Sequence, residues 1–333
     1  MIVSFNPNSR AMKNRSFFTA LKFFLMVGVV FIHAPKSGVS GFCTSLFSNH
    51  LVCASVSIFF ILSGMFLFKK DLMNPKVYIE ICRKRLRSLV IPFLFWNFII
   101  LSVAIVFLFV FPSFSDNGPY SVDIKSFGSI LSALIGIGRE PIHYQFWFVR
   151  NLILFVMISP ILKWSLDKGV VSVIIFISLT FLQPYNYTSG ICWFYLGAVL
   201  SRHNVVKVLT TNNAVLICCS TVLIAIGAAS GLGLSPVLDQ LNSGLFFISI
   251  STLCCKHEFL VKWIFPYTFM VYALHEPFMS LTNKIFTRTI HSDGLGMLFY
   301  FVSPIFSILL CILIGICWKR LHPFSYHFST GGR

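Results

Sequence analysis

The chain has 333 residues, 56% of them hydrophobic and only 11% charged, where an ordinary soluble domain carries about 25% charged residues. Long apolar runs recur from Phe17 to Trp318, which excludes a soluble globular protein and leaves no room for a separate soluble domain. The net charge of +16 suits anionic lipid headgroups or an anionic cosubstrate, and in a chain this apolar it does not point to nucleic acid.

The hydropathy pattern predicts an all-α, polytopic membrane helix bundle of about ten transmembrane helices, read as a single integral-membrane domain over 1–333. The spans fall at about 17–33, 51–68, 90–111, 146–162, 169–184, 190–201, 214–234, 241–255, 263–281 and 295–318. Segment 190–201 is short and needs its neighbours, and 127–138 reads as an extra re-entrant or interfacial helix. Lys and Arg cluster in alternate connections, chiefly Lys69 to Arg87 and Lys319–Arg320, while the other connections hold few, among them Lys36, Lys125 and Arg139. By the positive-inside rule both termini are expected in the cytoplasm.

The first span carries Arg15, Lys22 and, at its end, His33. At ~100° per residue the three lie within ~20° of one line along a helix, with His33 ~16 Å beyond Lys22 and ~27 Å beyond Arg15. Ionisable residues inside a bilayer are costly and mark function. A lysine there also reaches the surface by snorkelling, and a histidine also serves as a proton relay or a structural hydrogen bonder. As a general base toward a hydroxyl, His33 has the right chemistry. Lys22 has no acidic residue in its own span, so a ligand anion arriving from the cytoplasm is the expected partner.

Further along, Arg83-Lys84-Arg85-Leu86-Arg87 is the densest charge run. It fits both an anchor on anionic lipid and a phosphate-binding surface. Arg150 follows Trp147 one turn into a span, where it faces either the bundle interior or the headgroups. His275 and Glu276 are adjacent, so on a helix they point ~100° apart and do not form a simple dyad. Pro277, next in line, either opens the helix around a site or kinks it. The ten cysteines include no CxxC, and most lie in apolar runs as small hydrophobes. No Walker loop, GxGxxG, HExxH or GxSxG occurs, which argues against ATP-driven transport within this chain.

Lys22-x10-His33 resembles the basic-x10-His motif on the first helix of the acyltransferase-3 family of integral membrane acyltransferases. Other landmarks follow in order: Phe59 to Gly64 (FFILSG), the basic stretch Arg83 to Pro92, Trp147-Phe148-Val149 with Ser159-Pro160, Phe194 to Gly197 (FYLG), and Tyr272 to Pro277 (YALHEP). The similarity runs from about Arg15 to Pro277. Three positions depart from the family pattern. Thr19 stands where an Asp is common, Arg85 is followed at the third position by Ser88 and not a second Arg, and position 22 holds Lys where Arg is usual.

The resemblance implies transfer of an acyl group, often acetyl, from cytosolic acyl-CoA to a sugar hydroxyl of a surface polysaccharide of O-antigen type or its lipid-linked precursor. It places such a protein in the bacterial cytoplasmic (inner) membrane. His33 inherits the catalytic role and Lys22 the supporting basic role. Lys84, Arg85 and Arg87 are expected at the CoA phosphates, and Trp147, Arg150, His275 and Glu276 on the substrate. Acetyl-CoA is the expected cosubstrate, with no permanently bound cofactor and no metal. The rival reading is a glycan transporter, flippase or polymerase without acyl transfer.

Overall fold

A computed structural model describes residues 7–34, 41–110, 122–123, 125–182, 187–203, 213–232, 234–257, 259–289 and 293–332. Lys36 and the expected span ends at 111 and 183–184 lie outside the described residues. In chain order the described α-helices of eight residues or more are α1 (Pro7–Ile32), α2 (Ser55–Leu67), α3 (Pro75–Arg85), α4 (Ile91–Val110), α5 (Phe127–Ile135), α6 (Trp147–Leu166), α7 (Gly169–Phe181), α8 (Ile191–Leu200), α9 (Ala214–Gly227), α10 (Pro236–Cys254), α11 (Thr268–Thr289), α12 (Asp293–Leu321) and α13 (Pro323–Thr330). Stretches of π-helix include Ser45–Leu51 ahead of α2 and Leu86–Val90 between α3 and α4. No strand occurs among the described residues.

Each of the ten expected spans falls on a helix, but among the described residues only seven helical stretches are long and apolar enough to cross a membrane. The difference has physical causes. α7 and α8 are apolar but short. α11 has 22 residues, yet it carries His275, Glu276 and Lys284 and is too polar to count by composition. Helix boundaries follow local chemistry. Asn74 caps α3 by accepting from the Lys76 N–H at 3.0 Å, with Pro75 as the first helical residue. Segment 127–138 is helical only to Ile135, because Gly136 takes the left-handed conformation at φ +72 that ends a helix. Large apolar side chains point outward, as on α4, where Phe98, Val103, Val106 and Phe109 are exposed. Such faces belong in lipid.

The chain divides into two compact units, one of Met1–Phe59 with Asn204–Arg320 and one of Phe60–His203 with Leu321–Arg333. In the first, α1 packs on α10 and α11. The approach is close at Gly28, where a Cβ would stand 2.2 Å from Ser55 Oγ and 2.7 Å from the Phe247 ring. Ser243 of α10 donates to the Leu51 carbonyl (2.7 Å) and accepts from the Ala54 N–H (3.1 Å), fastening α10 to the end of the π-helix. In the second unit, Phe60 packs between Phe148 and Phe155 at ring distances of 4.5 and 5.6 Å. Trp96 donates to the Ser329 carbonyl at 3.1 Å, which seats α13 against α4.

Candidate active site

α1 ends at Ile32, and His33 occupies the turn that follows. Its N–H donates to the Val30 carbonyl at 3.1 Å, three residues back. Ala34 precedes Pro35, a position where helical backbone is disfavoured. The helix therefore delivers His33 at its end and not within its barrel. His33 is half-buried. Its ring lies 5.7 Å from that of His275, tilted by 45°.

His275 sits fully buried on α11. Its Nδ1 lies 3.0 Å from the Val271 carbonyl and 2.9 Å from the Tyr272 carbonyl. Carbonyls only accept, so Nδ1 carries a proton. Ser307 of α12 donates to the His275 carbonyl at 3.3 Å. Glu276 follows His275 on α11. It is buried and accepts from Ser280 Oγ, one turn on, at 2.5 Å. α11 runs unbroken through Pro277. The pairing that the structure makes is thus His33 with His275, residues 242 positions apart that sequence spacing could not connect.

Arg15 and Lys22 are both exposed, as expected for residues on one line of α1. Lys22 lies at the protein's surface, where headgroups, water and a ligand anion can all reach its charge. A cavity of about 220 Å³ lies beside the same end of α1, lined by Ser16, Cys255, Val261 and Lys262.

The remaining expected site residues lie in the second unit. Arg83, Lys84 and Arg87 are exposed, and Arg85 is half-buried. Lys84 pairs with Glu80 one turn back at 2.5 Å, an exposed contact of small energetic weight. Trp147 is half-buried, its ring 6.2 Å from Phe60.

Arg150 is buried and bonds several groups of its own unit. Nη1 donates to the Gly136 carbonyl (2.9 Å) and the Arg139 carbonyl (3.1 Å), Nε donates to Asn151 Oδ1 (3.2 Å), and Nη2 stands 3.3 Å from Glu140. The guanidinium also lies 4.4 Å from the Tyr187 ring. These contacts tie down the connection that follows α5. Arg150→Ala is expected to lower stability by about 3 kcal/mol or more, because it strands buried acceptors and Glu140. Thermal unfolding in detergent checks this; an unchanged melting temperature with lost activity would show that Arg150 serves substrate instead.

One further histidine escaped the sequence reading. His50, buried in the π-helix, contacts Asp239 of α10. Among the described residues no group of three or more His, Cys, Asp or Glu side chains could hold a metal ion.

A family model described as an acyltransferase domain matches residues 15–316. No curated protein and no solved structure matches the chain.

Proposed function

The chain belongs to the acyltransferase-3 family, and from that premise we propose that this multi-pass membrane acyltransferase moves an acetyl group from cytosolic acetyl-CoA to a sugar hydroxyl of a cell-surface polysaccharide or its lipid-linked precursor. The observation that carries the reading is the His33–His275 pair. Of the two imidazoles, only His33 is open enough to meet a substrate, and His275 is walled in behind it.

In this reading His33 takes the proton of the acceptor hydroxyl as its oxygen attacks the thioester carbonyl. The carbon–sulfur bond then breaks, and the departing CoA thiolate takes that proton from the imidazolium. His275 is a positioning residue, whose buried ring backs His33. Lys22, ~16 Å back along α1, meets an anionic part of the donor at the exposed face. Arg85 and Arg87 supply guanidinium groups suited to the CoA phosphates, with Lys84 contributing charge beside them. The excess of Lys and Arg in alternate connections supports cytoplasmic termini, and the bacterial inner-membrane setting rests on the family resemblance.

The test is mass spectrometry of the surface glycan with and without the gene. Deletion is expected to remove alkali-labile acetyl esters and leave the glycan itself in place. Loss of the whole glycan would favour a flippase or polymerase, and retained esters would refute the proposal.

A further inference from the structure

His50 sits in the middle of a chain of three side chains. Its Nδ1 lies 2.6 Å from Asp239 Oδ1, and its Nε2 lies 3.2 Å from Ser45 Oγ. A carboxylate only accepts, so Nδ1 carries a proton, and in the neutral imidazole the Nε2 lone pair faces the serine hydroxyl. This is the order of roles in a serine–histidine–aspartate relay: a carboxylate that orients the imidazole, an imidazole that takes a proton, and a hydroxyl made nucleophilic by losing it. Such relays are recognised by geometry and not by sequence position.

Two independent features show that the arrangement is built. Ser45 and His50 are five residues apart, which α-helical winding would separate by ~140°. The stretch Ser45–Leu51 is π-helical, and i→i+5 winding returns the fifth residue to the same face, a geometry that recurs at functional sites. Asp239 comes from another helix, 189 positions away. It stands in the first turn of α10 behind the Ser235 cap. One turn on, Ser243 fastens α10 to Leu51 and Ala54. The carboxylate is therefore held against His50 by contacts on both sides.

We propose that Ser45 is an activated nucleophile that carries the acyl group as a serine ester. The identity of the acyl donor rests on the acyltransferase reading; the activation of Ser45 does not. The Ser45 oxygen attacks an activated acyl carbonyl, supplied either as the acyl-CoA thioester or as an acyl imidazole on His33, while His50 Nε2 takes the hydroxyl proton. The carbon–sulfur or carbon–nitrogen bond breaks, and the departing atom takes that proton. A sugar hydroxyl then attacks the ester as His33 takes its proton, and the leaving Ser45 oxygen takes a proton back from the His33 imidazolium, so the serine ester replaces the thioester as the carbonyl that the His33-activated hydroxyl attacks. The two sites occupy neighbouring segments: Phe31, two residues before His33, stacks on Phe47, two residues after Ser45, at a ring distance of 5.9 Å.

The experiment treats the purified full-length protein with a fluorophosphonate, which phosphonylates serines activated by a neighbouring base. Peptide mass spectrometry is expected to find the label on Ser45. The labelling rate should fall by ~10²–10⁴ in His50→Gln, fall likewise in Asp239→Asn, and stay unchanged in His33→Ala. Acid quenching after acetyl-CoA should then find acetyl on Ser45. Its persistence in His33→Ala assigns the thioester as donor, and its loss there assigns the acyl imidazole. An unlabelled Ser45 in the wild-type protein overturns the proposal without touching the role of His33. A labelled Ser45 in cells whose glycan lacks acetyl esters overturns the acyltransferase reading and leaves the activated serine standing.

Discussion

Replacing His33 by alanine is expected to abolish acyl transfer while leaving the protein's level in the membrane unchanged. A general base contributes ~10²–10⁴ in rate, or roughly 3–5 kcal/mol of barrier at 1.36 kcal/mol per tenfold. That loss would take glycan acetylation below detection in growing cells. The fold should tolerate the change. His33 is half-buried in a turn after α1, and the hydrogen bond that closes the turn uses its backbone N–H. Acetyl esters on the glycan and an immunoblot of membranes read the two quantities separately. His275→Asn provides the contrast. It keeps a polar side chain but removes the ring that backs His33, so kcat is expected to fall with the KM for acyl-CoA unchanged. Full activity in His33→Ala would refute the assignment whatever His275→Asn does.

Much of this architecture was legible in the sequence because membrane helices announce themselves by length and apolarity. Ten segments were expected and ten carry a helix. The residues that make α11 interesting also conceal it: His275 and Glu276 lower its apolarity below that of an unambiguous span. The exposure of Arg15 and Lys22 together follows from helical periodicity. The contacts that give the site its form were not legible. His33 meets His275 and His50 meets Asp239 across about two hundred residues of chain, and no local period encodes such a meeting. The π-winding that brings Ser45 to His50 has no signature in the apolar pattern either. Arg150 shows the converse. The resemblance sets it on the substrate, and the structure gives it two backbone carbonyls, Asn151, Glu140 and the Tyr187 ring as neighbours, contacts that no residue type in the sequence reveals.

Gly64→Ala and Gly197→Ala are each expected to damage the fold more than an ordinary core substitution. The two glycines close the FFILSG and FYLG segments, and the structure shows where α2 and α8 cross. A Cβ on Gly64 would stand 2.0 Å from the Phe194 carbonyl oxygen and 3.2 Å from the Ala198 nitrogen. A Cβ on Gly197 would stand 2.1 Å from the Ile61 carbonyl oxygen and 2.9 Å from the Met65 nitrogen. Every one of these atoms is backbone, so no side chain can rotate out of the way. The helices themselves must separate, which loosens the aromatic packing of Phe60, Phe155 and Phe194 around the crossing. Overpacking a core costs ~1–3 kcal/mol when side chains can adjust; with rigid backbone on both sides the cost is expected at or above the top of that range. Close glycine contacts of this kind are how membrane helices gain packing where apolar burial gives no advantage over lipid. Because the glycines face each other's helix, the two substitutions should not be independent. Once one methyl group has forced the crossing open, the second meets less resistance, so the double variant should lose less stability than the sum of the singles. Thermal unfolding of the detergent-solubilised protein measures all three variants. Strictly additive losses would mean that each glycine relieves a separate clash, and wild-type stability in either single variant would mean that α2 and α8 do not cross where these backbone distances put them.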